Sequence, residues 1–251
     1  MKILKYKKLN NKYRVYLDNN SYLDLYENTI LKYELLLKKE IKEEDIDLIK
    51  KDNSKEEIYD IAIKYINIKM RSKKELYNYL VKKEFLKEDI DLTIKRLEDN
   101  NILNDELYVK SYIYDRFNLS SDGPNKIKRD LISSDIDISI IDKYLNLNEE
   151  DIKNKLDKFV TKKIRESKNY NGSVLKNKLI NYFYNLGYDS YMIEEVLSTK
   201  NLINMDQGIK EYNKLYIKYS KKYKGYELEM IIRQKLYQKG YNYDEIKKSI
   251  N

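Results

Sequence analysis

The chain has 251 residues, 37% of them charged against roughly 25% in an ordinary domain, and a formal charge of +8 from 50 basic and 42 acidic residues. One proline and six glycines argue against collagenous, loop-rich or strand-and-turn architectures and for many helices. Zero cysteine and zero histidine exclude disulfides, thiol catalysis, Ser-His-Asp hydrolysis and nearly all transition-metal sites.

The positive charge admits two readings. One is an acidic or polyanionic partner; the other is the lysine inflation that AT-rich coding brings along with abundant Asn, Ile and Tyr. No stretch approaches the ~18 apolar residues of a membrane span. The opening MKILKYKKLNNK interrupts its apolar residues with lysine before a signal-peptide core forms. A cytoplasmic protein is expected.

In chain order, Ile3-Leu4-Lys5-Tyr6-Lys7 and Tyr13-Arg14-Val15-Tyr16-Leu17 are short, β-prone and partly alternating. Asp18-Asn19-Asn20-Ser21 is a turn signal, after which Tyr22-Leu23-Asp24-Leu25-Tyr26 resumes the alternation. These segments predict a small antiparallel hairpin or meander, followed by short helices over 29–33 and 45–49. Residues 1–53 thus form a small α+β cap that packs on the helical remainder of the chain.

From Ser54 onward the sequence repeats itself. An apolar frame, φ-x3-φ-x4-φ-x4-φ with φ apolar or aromatic, occurs as Leu76, Leu80, Phe85, Ile90 and as Ile127, Leu131, Ile136, Ile141. It returns as Leu179, Phe183, Tyr188, Ile193 and as Ile232, Leu236, Tyr241, Ile246, the starts being 51, 52 and 53 residues apart. The first two positions share a helical face. The third follows a break, where Gly187 and Gly240 precede Tyr188 and Tyr241 and permit a left-handed helix end. Breaks are expected near Glu84, Ser134, Gly187 and Gly240.

A longer amphipathic stretch precedes each frame, at 57–69, 105–119, 149–165 and 205–222, with turns at Arg71-Ser72, Ser120 to Gly123, Asn171-Gly172 and Lys224-Gly225. Each unit therefore reads helix, helix, helix. A unit of ~50 residues buries its own apolar face poorly, so neighbours must stack. The predicted fold is mainly α: four tandem three-helix repeats, over 54–103, 104–147, 148–203 and 204–251, in an elongated, curved array behind the N-terminal cap.

The chemistry is sparse. No Gly-x4-Gly-Lys-Ser/Thr loop and no Gly-x-Gly-x-x-Gly fingerprint exists. Acidic runs such as Glu43-Glu44-Asp45 and Glu149-Glu150-Asp151 open predicted helices, where carboxylates suit the dipole. No catalytic constellation, cofactor or metal is implied. Most tyrosines, including Tyr65, Tyr112, Tyr188 and Tyr241, fall on apolar stripes and read as core rather than as base-stacking platforms.

Advancing 100° per residue from each frame start places Lys82, Lys126, Lys128, Arg129, Lys178 and Arg233 away from the apolar stripe. With Arg71 and Lys235 they form the candidate partner-binding set. No position is basic in all four repeats, so a solvated face and a binding face both remain open readings. The second-helix faces show no recurring Arg/Asn/Gln set for reading base edges. Residues 204–251 carry 11 basic and 6 acidic residues, which makes the fourth repeat the best electrostatic candidate for phosphates or an acidic partner.

Arg71-Ser72-Lys73-Lys74-Glu75-Leu76 with Leu80, Lys83 and Phe85, the run from Leu97 through Asn104-Asp105-Glu106-Leu107-Tyr108-Val109, and Gly123-Pro124-Asn125-Lys126-Ile127 with Leu131 and Ile136 together resemble the RecX regulatory proteins. The similarity is strong over 58–146 and weak over 147–251, and the front piece resembles the β-containing extension of longer members. Where the family often has Lys-Gly before the third frame residue, this chain has Lys83-Glu84 and Ser134-Asp135. The resemblance implies a non-enzymatic, monomeric modulator that binds filaments of the recombinase RecA on DNA and restrains their growth, ATP hydrolysis, strand exchange and coprotease activity. Two alternatives stand beside it: a helical module that binds single- or double-stranded DNA directly through a basic face, and a helical scaffold for another protein.

Overall fold

The computed structural model describes residues 1–250. Three antiparallel strands, β1 (Ile3–Lys8), β2 (Tyr13–Leu17) and β3 (Tyr22–Leu25), pair in the order β1-β2-β3. The alternation sends Val15 and Leu17 inward. On the other face Arg14, directly opposite Asp24, donates both ends of its fork to that carboxylate at 2.8 and 2.9 Å. Two short helices, α1 (Glu27–Lys32) and α2 (Leu35–Lys38), lead through a 3-10 turn at Glu43–Asp45 into α3 (Ile46–Ile66). Val15, Leu17, Leu25, Ile30, Leu35, Ile41 and Ile49 form the core of this cap.

The expected short helix at 45–49 is instead the first turn of α3, which runs unbroken through position 53. The Asp-Asn-Ser cluster at 52–54 reads as a loop signal, but two of its side chains have tertiary roles. The Asn53 amide oxygen accepts from the Tyr26 backbone N–H at 2.8 Å, and its NH2 donates to the Asp24 carbonyl at 3.1 Å. Asp52 accepts from Lys32, Tyr33 and Lys55. Both side chains stitch the cap onto the helix.

From α3 on, the helices follow one another in threes, although the expected start of the first repeat at Ser54 lies inside α3. They are α3 with α4 (Lys73–Val81) and α5 (Lys87–Asp99); α6 (Asp105–Leu119), α7 (Pro124–Ser133) and α8 (Ile138–Tyr144); α9 (Glu149–Glu166), α10 (Gly172–Asn185) and α11 (Ser190–Ser198); and α12 (Met205–Tyr219), α13 (Gly225–Gln238) and α14 (Tyr243–Ile250). Fifteen of the sixteen frame residues are buried, Phe85 being half-buried. Local signals set the helix starts: Ser72 and Glu75 form a reciprocal capping box before α4, and Asp137, Asn148, Asp189 and Asn204 cap α8, α9, α11 and α12.

All four second helices end in the left-handed conformation, at Glu84 (φ 64°), Asp135 (φ 59°), Gly187 (φ 87°) and Gly240 (φ 84°). In the third repeat Tyr188 N–H donates to the Phe183 carbonyl at 3.1 Å and Gly187 N–H to Tyr184 at 2.9 Å; Tyr241 and Gly240 do the same toward Leu236 and Tyr237. This is the Schellman motif, whose apolar contact joins residues five apart. It accounts for the x4 spacing between the second and third frame positions.

The residues group into two compact units, Met1–Tyr108 with Ser134–Ile136, and Val109–Ser133 with everything from Asp137 onward. Inside the second unit one junction recurs. Gly123 N–H donates to the Leu186 carbonyl (2.6 Å) and Asn125 N–H to Gly187 (3.0 Å); one repeat later Asn171 N–H donates to the Lys239 carbonyl (2.8 Å). The turn before one second helix thus docks on the left-handed break of the next. A Cβ on Gly187 would lie 2.2 Å from the Lys126 nitrogen, and one on Gly240 2.0 Å from the Asn171 oxygen.

Gly187→Ala and Gly240→Ala should each destabilise the protein by about 3 kcal/mol or more, since a left-handed non-glycine costs ~1–2 kcal/mol before any clash. Glu84→Gly, at an exposed break, should change stability by less than about 1 kcal/mol. Leu80→Ala and Leu131→Ala, both fully buried, should cost ~2–5 kcal/mol each. Denaturant midpoints at constant m-value check all of these.

Candidate partner-binding surface

With the break fixing their register, the four second helices present comparable outer faces, and the eight cations of the candidate set separate by environment. Arg71 is no surface group: its guanidinium stacks over the Tyr65 ring at 4.2 Å, lies 3.6 Å from Glu75, and its Nε is buried. Lys126 donates to Asp122 at 2.6 Å and Lys128 to Asp142 at 2.5 Å. Arg233 forms a bidentate pair with Asp244 at 2.7 and 2.9 Å and stacks over Tyr243. Lys178 sits over the Tyr170 ring at 4.1 Å, and Lys235 is half-buried. Lys82 and Arg129 are exposed and have no carboxylate partner among the described residues. The set is therefore not one patch of free charge.

One recurring feature of these faces does not depend on charge. Two residues after each frame start stand Asn78, Arg129, Asn181 and Gln234, all exposed. Contrary to expectation, an Arg/Asn/Gln set does recur on the second helices. The signal was in the sequence, but Asn, Gln and Arg form one class only by their hydrogen-bonding geometry, and a tally of charge divides them.

A second group comes from α12. Lys210, Lys214 and Lys218 follow one another at i, i+4, i+8 and so line one side of the helix, all exposed, with Lys221, Lys222 and Lys224 just beyond. Between 207 and 226 the single acid is Glu211, which is buried and bonded to Lys239 at 2.7 Å. Like charges four apart weaken a helix by a few tenths of a kcal/mol per pair; Asp206, four residues before Lys210, is the one carboxylate in line with the row.

The junction between the second and third repeats carries a cation perturbed by burial. Asp122, nearly buried, accepts from Lys126 and, at 3.4 Å, from Arg116, while its backbone carbonyl accepts from Lys155 at 2.7 Å. Lys155 also sits over the Phe117 ring. Burial pushes its ammonium down to about 8, and the nearby Asp122 carboxylate only partly opposes this. The same burial pushes the Tyr188 phenol up. The acidic runs at 43–45 and 149–151 occupy the first turns of helices, as expected. Among the described residues no group of three or more His, Cys, Asp or Glu side chains is arranged to hold a metal ion, and no helix is long and apolar enough to cross a membrane.

Comparison with known proteins bears on what this surface serves. The family model for the RecX first three-helix domain matches residues 59–97. The regulatory protein RecX of Streptococcus agalactiae serotype Ia is 32% identical over 257 aligned positions, which cover 100% of this chain and 98% of the relative. The chain belongs to the RecX family of regulatory proteins. RecX of Oceanobacillus iheyensis, 28% identical, covers 98% of this chain and is itself covered over 94%. A crystal structure of regulatory protein RecX superposes with a TM-score of 0.66 at 23% identity, spanning 78% of this chain and 98% of that one. RecX from Lactobacillus salivarius gives a TM-score of 0.51 over 57% of this chain. These structures share the fold.

Lys155 makes the junction pH-sensitive. Its folded-state value of about 8 lies below the ordinary ~10.4 of an unfolded lysine. Between the two the unfolded chain binds more protons, so this residue makes stability rise with pH across that window. Relative to Lys155→Met, the parent should gain stability from pH 7.5 to about 9.5. Urea midpoints of the two proteins at each pH check it; parallel curves would contradict it.

Proposed function

We propose that the protein is a non-enzymatic regulator that binds RecA filaments on DNA and restrains their ATP hydrolysis, recombinase and coprotease activities, acting as a monomer in the cytoplasm. The observation that carries this reading is the full-length similarity to proteins named regulatory protein RecX. The architecture supports it. Similar units strung on one chain can each make a weak contact with a polymeric partner, and linkage turns millimolar single contacts into far higher avidity without a deep pocket.

A second reading has its own observation. The lysine row of α12, extended past the helix end, suits the phosphates of single- or double-stranded DNA. It supports direct DNA contact by the fourth repeat, within a filament or on naked DNA. The scaffold alternative has no such feature in its favour.

The decisive measurement is RecA's DNA-dependent ATPase with this protein added below stoichiometry. Inhibition is expected, and no change across a broad titration would overturn the proposal. The Arg129→Glu, Arg233→Glu double variant should inhibit less, most of the loss coming from Arg129, because Arg233 is already held by Asp244. Arg129 is exposed and has no carboxylate partner among the described residues, so its reversal should change stability by no more than about 0.5 kcal/mol, whereas Arg233→Glu also loses the Asp244 pair and should cost up to about 1 kcal/mol. Unaltered inhibition at every salt concentration would remove these two arginines from the binding face.

A further inference from the structure

Three of the four turns that precede a second helix meet the break of the following repeat. Gly123 and Asn125 hold the break at Gly187, and Asn171 holds the one at Gly240, through main-chain N–H donors. Ahead of α4, Ser72 is fully buried, and Lys74 donates to Asp135 at the second break, both in the first compact unit. The turn before α13 is built the same way and holds nothing. Lys224 has φ -137° and ψ 160°, against -144° and 163° at Asn171, and Gly225 has φ 55° against 52° at Gly172. A Cβ on Gly172 would lie 3.1 Å from the Gly240 carbonyl oxygen; one on Gly225 would meet nothing within 4 Å. Among the described residues the N–H groups of Lys224 and Tyr226 have no acceptor, and Tyr226 is 77% exposed.

The charges around this turn are selective. Lys221, Lys222 and Lys224 are all exposed and have no carboxylate partner among the described residues. A cation beside a helix C-terminus complements the negative end of the dipole and can bond its last carbonyls. Glu227, also exposed, stands where Lys126 and Val174 lie against the docked glycine breaks. Beside neutral carbonyls a carboxylate is tolerated there, and Glu75 occupies the same place in the first repeat. Beside a phosphate it would repel.

We infer that the turn at Lys224-Gly225 is a docking site for the C-terminal end of an α-helix in the filament protein, one that ends on a left-handed glycine. The inference rests on the filament reading above and deepens it. The partner's last carbonyls accept from the Lys224 and Tyr226 N–H groups, as those of Leu186 and Gly187 accept from Gly123 and Asn125. Glycine is required of the partner because so close an approach leaves no room for a Cβ, as at Gly187 and Gly240. A second copy of this chain is a poor occupant. Three of its breaks are already met, and the fourth, at exposed Glu84, bears a side chain and adjoins Lys82 and Lys83. Those lysines would meet like charge.

Two measurements test this. Asparagine tolerates a left-handed backbone, so Gly225→Asn keeps the fold but fills the space that the helix end enters. Binding is measured on RecA filaments assembled on single-stranded DNA with a slowly hydrolysed ATP analogue, and on the same DNA without RecA. The variant should bind filaments about tenfold less tightly, with naked-DNA affinity and melting temperature unchanged. Undiminished filament binding, with the parent bound, would overturn the docking turn and leave the filament reading intact. Equal loss on naked DNA would assign the turn to phosphates and also overturn it. The second measurement does not depend on tolerance at Gly225: a benzophenone amino acid replaces the exposed Tyr226, and the bound filament is irradiated. Crosslinks should fall on RecA, within the last turn of a helix that ends in glycine. Crosslinks to DNA, to a second copy or to any other part of RecA, or none from the bound complex, would overturn the inference. Failure of the parent to bind filaments would overturn the filament reading as well.

Discussion

The constraint on which the second unit depends is a backbone-to-backbone approach with no room for a side chain. The turn before α7 lies on the break at Gly187, and the turn before α10 on the break at Gly240, each joined by main-chain hydrogen bonds of 2.6–3.0 Å. A missing Cβ at these breaks has two roles: it relieves the left-handed backbone and it lets the neighbouring repeat close. The first role alone does not require glycine, because Glu84 and Asp135 adopt the same conformation. The second does, and glycine stands where the approach is closest. The apolar frame follows from this arrangement, since the Schellman ending sets the spacing of Phe183 to Tyr188 and of Leu236 to Tyr241.

The fold was legible because that ending leaves a periodic trace. A fixed break forces fixed intervals on both sides of it, and buried positions on both sides must be apolar. The start of α3 was not legible for the opposite reason. Asp52, Asn53 and Ser54 have the composition of a loop, and nothing local reveals that the first two hold the strand-to-helix corner from inside a helix. Their partners, Asp24, Tyr26, Lys32 and Tyr33, lie about 20–30 residues upstream, and only the folded cap brings them close.

The candidate surface was legible in part. Helical phase placed the basic residues outward, but phase on one helix says nothing of the neighbouring helix. The partners of Lys128 and Arg233 are Asp142 on α8 and Asp244 at the start of α14, contributed by the third helix of each repeat. Lysine enrichment alone therefore overstates the free positive charge of these faces. It understates that of α12, where Glu211 is buried against Lys239 and the only other acid, Asp206, stands in the first turn.

Internal pairing does not by itself withdraw a cation from binding. The Arg233–Asp244 pair is about half exposed on both sides, and such surface pairs contribute ~0–1 kcal/mol. An incoming carboxylate can take Asp244's place at that cost, while Asp244 regains its hydration. Arg129 starts with no such pair to break and gains the whole of a new contact. Lys126 differs from both, because Asp122 is nearly buried, and removing its partner would leave a charge poorly solvated at the junction between two repeats. The gradient of cost thus runs from Arg129 through Arg233 to Lys126. A partner drawn to this face by charge engages it in that order, and it reaches Lys126 only by loosening the stack that presents the other two.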